Sequence, residues 1–401
     1  MSQRLPLSAE NQESSGVVLT GFECHVCGVE ELVEIMEYSR LPRVTSDCKP
    51  FAAGGRLAVC RTCGAVQKPS DARWREEAAS IYRHYDIYFQ SAGIEQSVFD
   101  SVDGIPRLRS QVLLERLNAV SPLAKTGAVL DVGCGKGTFL NAFSKFRPGW
   151  RLFGHELNCA NAKILARIPQ FERLYTGSIS NLPKSGFELI VLVHALEHFE
   201  NPVESLRALA PKLAPGGAIV VEVPNAEASP FDFLVADHAS HFTHADLRRL
   251  VQRAGLVTHI LANDWMAKEL SLVAVGSEVA PALAVSVDTA SLQHSVSLRV
   301  GWLKAVLAEA RRAASGASRF GVFGTSITAM WLYGELDNQI DFFVDEDPSR
   351  IGNLHGRPVL TPDNIPEQAT VFIGLLPEIA RTVASRIGRI DIDWKLPPTL
   401  P

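Results

Sequence analysis

Four of the seven cysteines form two pairs with the spacing of metal-binding half-sites. Cys24 and Cys27 make the first pair, Cys60 and Cys63 make the second, and a glycine directly follows each pair. Two residues between thiolates let one tight turn aim both sulfurs at one ion, and four thiolates complete a tetrahedron around Zn²⁺. We therefore predict a structural zinc site. The alternatives are a thioredoxin-like redox pair and four unrelated thiols, with His25 and Cys48 as possible substitute ligands.

A glycine-rich segment, DVGCGKG over residues 131–137, lies between an apolar strand pattern and a helical pattern. Glycines at such a turn let the main chain approach a ligand at a helix N-terminus. Asp131 stands two residues before the first glycine, where a carboxylate would meet an ammonium group and repel a pyrophosphate. Glu156 ends the next strand pattern, where it can hold both ribose hydroxyls, a feature that dinucleotide-binding folds share.

The segments GAVLDVG, RLFGHEL, FELIVLV and GAIVVEV alternate with helical patterns, as in a parallel sheet covered on both faces. With DVGCGKG, GHE, HALEHFENP and LAPGG in this order, residues 120–275 resemble the class I S-adenosylmethionine-dependent methyltransferases. The resemblance implies S-adenosylmethionine (SAM) as methyl donor. It implies roles for seven residues: Asp131, Gly133 and Gly135 at the methionine end, Glu156 at the ribose, Ser178 and Ile179 beside the adenine, and His194 at the pocket floor.

A histidine-rich loop over residues 230–243 follows the fourth strand pattern, at the sheet edge where open α/β folds bind ligands. His238 is our candidate general base, because histidine has the unperturbed pKa nearest neutrality. Its neighbour Asp237 could orient an imidazole or stabilise its charge. His241 and His244 are rival bases, and a purely structural role in capping the next helix is the alternative.

The order of a Cys₄ segment, a methyltransferase core and a second nucleotide-type fold resembles the nucleotide-sugar C-methyltransferases of deoxysugar biosynthesis. In that family a Glu-His pair lies on this loop, and the histidine removes a proton next to a ketone, so that an enolate attacks the methyl group. Asp237 and His238 match that pair with Asp in place of Glu. The chain has Val235 where the family has tyrosine, and HALEHF replaces the family's Asn and His motif.

The predicted fold is α/β, with an N-terminal zinc-binding module, a central Rossmann-like methyltransferase domain and a smaller C-terminal Rossmann-like domain. Its predicted parts are a tail (1–20), the zinc module (21–68), a helical lid (69–120), the methyltransferase domain (121–275), a helical connector (276–316) and the C-terminal domain (317–401). Tyr82, Tyr85 and Tyr88 recur every three residues in the lid, a spacing typical of a core stripe. For Glu197 and His198 we expect a capped, solvent-facing helix start.

The composition is that of an ordinary globular chain: 401 residues, 46% hydrophobic and 21% charged, with a net charge of −5. This charge supplies no field that would gather phosphate backbones or anionic lipid. The polar first twenty residues lack a secretory signal, and no apolar run could span a membrane, so we expect a cytoplasmic protein. The prediction is a SAM-dependent methyltransferase acting on a small-molecule acceptor, most simply a carbon of a keto-deoxysugar nucleotide. The alternatives are an O-methyltransferase of a glycan or secondary metabolite, an RNA-binding methyltransferase, and a catalytically silent SAM-binding scaffold.

Overall fold

The computed structural model describes residues 16–85, 95, 97–99, 106–183, 186–276 and 289–401. Most of the predicted tail, the start of the predicted connector and Tyr88 lie outside these residues. Val18 and Leu19, which the sequence analysis assigned to the tail, form a strand. Among the described helices, none combines the length and the apolar character that crossing a bilayer requires.

The strands of the described residues are β1 Val18–Leu19, β2 Leu32–Glu34, β3 Arg43–Val44, β4 Pro50–Phe51, β5 Ala58–Cys60, β6 Val66–Gln67, β7 Ser97–Phe99, β8 Pro106–Leu108, β9 Gly127–Val132, β10 Trp150–Glu156, β11 Phe171–Thr176, β12 Phe187–Val193, β13 Leu213–Pro224, β14 Ser240–His241, β15 Leu256–Ala262, β16 Glu269–Gly276, β17 Phe320–Phe323, β18 Phe342–Val344, β19 Gly352–Leu354, β20 Arg357–Leu360, β21 Thr370–Ile373 and β22 Asp393–Lys395. The α-helices are α1 Ala72–Arg83, α2 Arg109–Val120, α3 Thr138–Phe146, α4 Ala162–Leu165, α5 Pro202–Leu209, α6 His244–Arg253, α7 Thr289–Gly316, α8 Ile327–Leu336 and α9 Pro377–Ile387. Short 3₁₀ helices include Ile179–Asn181, Leu196–His198 and Pro230–Leu234.

The central sheet has the strand order β11-β10-β9-β12-β13-β16-β15. Strands β9 to β13 pair in parallel, and β16 runs antiparallel to both β13 and β15. Consecutive residues of β9, such as Val129 and Leu130, are both fully buried, because α2 and α3 cover one face and α5 and α6 the other. The predicted α/β fold with a Rossmann-like central sheet is confirmed. Its parallel strands bring the glycine segment, Glu156 and His194 to one edge.

The N-terminal sheet is antiparallel, in the order β1-β2-β5-β6-β14. Its last strand, β14, does not belong to the N-terminal segment but to the histidine-rich loop. His241 pairs with Val66 and Ser240 pairs with Gln67. The cysteine-containing segment therefore continues directly, through backbone hydrogen bonds, into the loop that carries the candidate base.

The C-terminal sheet has the order β19-β20-β18-β17-β21-β22, and only β19 is antiparallel to its neighbour. The long helix α7 leads into it, and its residues Val300 and Val306 are fully buried. Trp302 of α7 lies with its ring 5.3 Å from the ring of Phe231 in the histidine-rich loop. The indole of Trp331 in α8 donates a hydrogen bond to the carbonyl oxygen of Pro42. These contacts join the C-terminal sheet to both the N-terminal segment and the loop.

Candidate active site

The four paired cysteines come together in the N-terminal segment as the sequence predicts. The Sγ atoms of Cys24 and Cys63 lie 3.6 Å apart, and those of Cys27 and Cys60 lie 3.5 Å apart. All four Sγ atoms lie within 4.8 Å of one another. Zinc-sulfur bonds of about 2.3 Å in a tetrahedron require sulfurs separated by slightly under 4 Å, so the donor set fits Zn²⁺.

His25 and Cys48 do not belong to this cysteine cluster. The two ring nitrogens of His25 lie 2.9 Å from Ser240 Oγ and 3.2 Å from Ser70 Oγ, and burial lowers its pKa to about 4. Cys48 lines the large cavity described below, and burial raises the pKa of its thiol to about 12. His25 thus connects the cysteine cluster to the histidine-rich loop.

The glycine segment forms a tight turn between β9 and α3. Gly133, Gly135 and Gly137 all have positive φ angles, of 78°, 51° and 80°. A Cβ on Gly133 would lie 2.9 Å from the Cβ of Ala195, whereas a Cβ on Gly135 would meet nothing within 4 Å. The backbone amide of Gly135 donates a 2.6 Å hydrogen bond to Glu156 Oε1. The turn therefore leaves open space above Gly135, next to the Glu156 carboxylate.

Asp131 lies beneath this turn and is 3% exposed. Burial, with a smaller contribution from the charge of Glu156, raises the pKa of Asp131 to about 8. A buried carboxyl with a raised pKa favours a cationic ligand, because a positive charge nearby would stabilise its ionised form. The geometry of Asp131, Gly135 and Glu156 fits a ligand with a cationic end and a polar sugar.

Ser178 and Ile179 lie after β11, at the same edge of the sheet as Glu156. Ser178 begins a short 3₁₀ helix and accepts a hydrogen bond from the backbone amide of Ser180. The carbonyl oxygen of the preceding Gly177 lies 2.8 Å from Nε2 of His155, which fixes the turn against β10. Leu157, directly after Glu156, is 65% exposed, and no motif in the sequence pointed to it.

His194 directly follows β12 with φ at +49° and lines the large cavity. Its Nδ1 lies 3.3 Å from Glu197 Oε1, its Nε2 lies 3.6 Å from Glu222 Oε1, and Arg109 contacts Nε2 closely. Burial lowers the pKa of His194, but Glu269 and the other carboxylates outweigh burial and raise it to about 10. The floor of the cavity is therefore a compact network of opposite charges.

A cavity of about 360 Å³ lies between the central sheet, the N-terminal segment and the C-terminal part of the chain. The central sheet contributes His194 and Asn225, and the N-terminal segment contributes Ser46. The C-terminal sheet contributes Ser326 at the start of α8 and Arg350. The volume lies in the range of small-molecule binding pockets, and the walls carry several polar groups that could orient a ligand.

His238 lines this cavity, and its acidic partner is Asp232. Asp232 Oδ1 accepts a 2.8 Å hydrogen bond from Nδ1 of His238, and Asp232 Oδ2 accepts a 2.6 Å hydrogen bond from Nδ1 of His241. Burial lowers the pKa of His238, but the Asp232 carboxylate outweighs burial and raises it. Since Nδ1 is bonded to Asp232, Nε2 is the nitrogen of His238 that is left for proton transfer.

Sequence reasoning chose Asp237 as the partner because it is adjacent to His238, and it missed Asp232. The Asp237 carboxylate instead accepts hydrogen bonds from the backbone amide and the hydroxyl of Ser46, at 2.9 and 2.5 Å. Adjacent side chains in an extended loop point apart, whereas the turn of the 3₁₀ helix Pro230–Leu234 brings Asp232 back to His238. The clue in the sequence was an aspartate six residues before one histidine and nine before another.

His198 was also missed, since the expectation of a solvent-facing Glu197 and His198 is wrong. Glu197 is 1% exposed, and the His198 ring lies 4.8 Å from the His238 ring in an edge-on arrangement. Nδ1 of His198 lies 2.9 Å from the hydroxyl of Tyr82 and 3.0 Å from the carbonyl oxygen of Asp237. Tyr85 lines the cavity, so two of the lid tyrosines face this region.

The rival bases are placed differently. His241 is 1% exposed and lies behind His238, where burial and the charge of Lys68 lower its pKa to about 4. His244 is the first residue of α6, and its ring nitrogen Nε2 lies 3.4 Å from the carbonyl oxygen of Leu261. The helix is capped by Thr243, whose side chain accepts a hydrogen bond from the amide of Asp246 and completes a capping box.

Residues 107–259 match the family model of a methyltransferase domain. Two curated relatives are an uncharacterised protein of Synechococcus sp., 30% identical over 24% of this chain and 25% of its own length, and the ubiquinone biosynthesis O-methyltransferase of Albidiferax ferrireducens, 29% identical over 31% of this chain and 50% of its own length. The chain thus spans half or less of the length of these relatives.

Two solved structures are also similar to parts of the chain. The mitomycin 7-O-methyltransferase MmcR has a TM-score of 0.37 at 16% identity, over 42% of this chain and 54% of its own. An S-adenosylmethionine-dependent methyltransferase from Clostridium acetobutylicum has a TM-score of 0.37 at 13% identity, over 51% of this chain and 99% of its own. The family match includes the glycine segment, Glu156, His194 and His238. The match of residues 107–259 to a methyltransferase domain agrees with what the motifs predict.

Proposed function

We propose that the protein is a SAM-dependent methyltransferase that methylates a small polar acceptor in this cavity, with His238 as general base. The observation that carries this proposal is the Asp232–His238 pair at the wall of that cavity, on the same sheet edge as the glycine turn. A buried carboxylate bonded to Nδ1 fixes the tautomer and raises the basicity of Nε2.

The donor would bind at the glycine turn. Asp131 would attract its cationic end, the open space at Gly135 would admit the nucleoside, and Glu156 would bind the ribose hydroxyls. Ser178, Ile179 and the exposed side chain of Leu157 would flank the base, with apolar contact from Leu157 and Ile179. The donor supplies an electrophilic methyl group, and the protein has to align it with the acceptor and remove a proton.

The acceptor that we favour is a nucleotide-linked keto-deoxysugar, methylated at carbon. A ketone acidifies the neighbouring C–H bond, and a base with a raised pKa such as His238 can remove that proton to leave an enolate. The charged floor around His194 and the polar groups of Ser326 and Arg350 suit an acceptor with many hydroxyl and charged groups. The resemblance to the sugar C-methyltransferase family also supports this acceptor class.

Zinc would be a structural ion held by Cys24, Cys27, Cys60 and Cys63. Four thiolates fill a tetrahedral coordination sphere and leave no position for a substrate. The ion would stabilise a segment of short strands whose sheet ends in the strand Ser240–His241. We therefore infer that zinc would stabilise the protein and, through β14, help to position the histidine-rich loop.

The second candidate is O-methylation of a secondary metabolite. It is favoured by the local similarity to the Albidiferax ferrireducens protein, whose name describes it as an O-methyltransferase. The same base would serve, because a hydroxyl acceptor also has to lose a proton. The two candidates differ in the atom that loses the proton, so they can be distinguished directly.

The test uses donor labelled with ¹³C at its methyl group, offered with a panel of nucleotide-linked keto sugars and hydroxylated aromatic acceptors. NMR of the products locates the new methyl group. Incubation of each keto sugar with the protein in D₂O without donor reports enolate formation as hydrogen-deuterium exchange. Exchange in wild type and its loss in His238→Gln support C-methylation, whereas methylation of oxygen without exchange supports the second candidate. A zinc-loaded protein that binds no donor would overturn both.

A further inference from the structure

Lys68 is a fully buried lysine that lies five residues after the last paired cysteine, and the motifs in the sequence did not single it out. Its ammonium group donates to three acceptors, all on the histidine-rich loop: the carbonyl oxygens of Val235 and His238, at 2.7 and 3.1 Å, and Nε2 of His241, at 2.8 Å. Three acceptors match the three hydrogens of an ammonium group. The side chain is thus fully bonded as a cation, without solvent.

A continuous chain of hydrogen bonds runs from Lys68 through His241 and Asp232 to His238. Because His241 receives a hydrogen bond at Nε2 from Lys68, its Nδ1 carries the proton that it donates to Asp232. A neutral His241 of this tautomer uses one oxygen of Asp232 and leaves the negative charge of that carboxylate uncompensated. His238 donates to the other oxygen, at 2.8 Å. The charge state of His241 therefore decides how strongly Asp232 supports His238.

We propose that Lys68 is a positioning residue for His238: its ammonium group keeps the His241 imidazole neutral, so that the charge of Asp232 acts on His238. The inference rests on the proposed function insofar as His238 is the base. The arrangement has a second consequence, because Lys68 also holds the loop at the carbonyl groups of Val235 and His238. The cysteine-containing segment thus contributes one charged group to a site that lies mostly on the methyltransferase domain.

Further charged and titratable groups surround this chain. Arg43, Glu77 and Asp237 act on Lys68, whose pKa burial lowers to about 7, and the Tyr38 ring lies 5.9 Å from its ammonium nitrogen. Glu197 and Asp237 also act on His238, and His198 lies against its ring. The charged and titratable groups nearest to His241 are Lys68, Asp232 and His238. The positive charges of Lys68 and His238 lower the pKa of His241. Without Lys68, the buried Asp232 carboxylate would favour protonation of His241.

Asp232, His238 and His241 also have the residue types of a metal site, and the ligand atoms of the three lie close together. However, Nε2 of His241 is already 2.8 Å from a lysine ammonium, and a second cation there would meet strong repulsion. The hydrogen-bonded chain therefore accounts for the arrangement of these residues.

The direct test is the imidazole NMR spectrum of the full, zinc-loaded chain with ¹⁵N-labelled histidine, assigned with His241→Asn. We expect His241 to remain neutral, with the proton on Nδ1, from pH 5 to 6.5, where Lys68 keeps its charge. In Lys68→Met it should titrate within this range. The proposal would be overturned if His241 of the wild-type protein were an imidazolium in this range. It would also be overturned if the wild-type protein bound a second metal ion that His241→Asn did not bind. This spectrum needs neither donor nor acceptor, so it is independent of whether methylation is observed.

Turnover then separates an electrostatic role from a merely structural one. In Lys68→Met, kcat should fall at least ten-fold, and the acid limb of the profile of kcat against pH should shift to lower pH by about one unit. Donor affinity and zinc content should be retained. Adding His241→Asn should restore the limb, because an asparagine amide donates to Asp232 and cannot carry a charge. A double variant as impaired as Lys68→Met would mean that Lys68 acts only by holding the loop. Should Lys68→Met not fold, the wild-type titration of His241 decides.

Discussion

Nδ1 of His25 lies 2.9 Å from the hydroxyl oxygen of Ser240. His25 stands between two paired cysteines, and Ser240 belongs to the histidine-rich loop. They are 215 positions apart in the chain. The amide of His25 also donates to the side chain of Gln67, which pairs with Ser240 across the sheet. An ion bound by the cysteines would therefore stabilise not only its own segment but also the strand that ends at His241.

Loss of zinc should destabilise the protein and disorder the histidine-rich loop. Structural zinc sites contribute folding energy of on the order of 10 kcal/mol in small domains. We expect Cys60→Ser to lower the zinc content from one ion per chain toward zero and the unfolding temperature by on the order of 10 °C. Cys159→Ser is the matched control, because Cys159 is exposed and lies outside the cysteine cluster. A zinc-free chain as stable as wild type would contradict the structural metal.

Gly133→Ala should weaken donor binding more than ten-fold. An alanine at φ +78° is strained by about 1–2 kcal/mol, and its Cβ would lie 2.9 Å from the Cβ of Ala195, behind the cavity floor. The turn would have to shift away from the position that it needs to hold the donor. Gly276→Ala is the control, since a Cβ there meets nothing within 4 Å. Calorimetric titration with SAM measures both, and equal affinities would remove Gly133 from the donor site.

Sequence patterns predicted the residues whose chemistry depends on local spacing. The two cysteines within each pair lie close together because they share one tight turn, and the strands of the central sheet follow from short apolar runs. Asp131, Glu156 and His194 are predictable in the same way, because each stands where a parallel strand ends. Such residues are placed by their own element, so no long-range information is needed.

The partners of the candidate base were not predictable in this way, since they depend on contacts between distant segments. Asp232 reaches His238 only because a 3₁₀ helix turns the chain back. Lys68 reaches His241 only because β6 pairs with β14 across 173 positions. His198 was interpreted as solvent-facing because the sequence does not show that Tyr82 and the loop cover it.

The affinity for donor should rise with pH through about pH 8. The raised pKa of Asp131 means that its carboxyl is protonated in the free protein below that value. A cationic ligand binds the carboxylate form, so binding below pH 8 must release a proton and should tighten up to ten-fold per pH unit. Titration calorimetry in buffers of different ionisation enthalpy measures this release. Asp131→Asn should bind more weakly with no pH dependence, whereas a flat wild-type profile from pH 6.5 to 8.5 would argue against Asp131 as the cation partner.

Turnover should depend on the ionisation of His238, in a direction that Asp232 sets. A base has to be neutral to accept a proton, so kcat should rise with pH and level off above the pKa of His238, which Asp232 raises above the ordinary value near 6.5. Asp232→Asn removes the charge but keeps an oxygen that can accept one hydrogen bond. We expect kcat to fall by on the order of 10²-fold, and the acid limb to move to lower pH because the imidazolium has lost its stabilising carboxylate.

Asp237→Asn is the matched control for this experiment, because it changes the same residue type in the same loop. Asp237 is also buried, but its carboxylate accepts hydrogen bonds from Ser46 and lies 3.5 Å from His198, and it makes no hydrogen bond to Nδ1 of His238. Its substitution should therefore move the acid limb less than Asp232→Asn does, because Asp232 raises the pKa of His238 more than Asp237 does. If Asp237→Asn moved the limb and Asp232→Asn did not, the partner of the base would be the adjacent aspartate, and the hydrogen bond at 2.8 Å would have no part in setting its basicity.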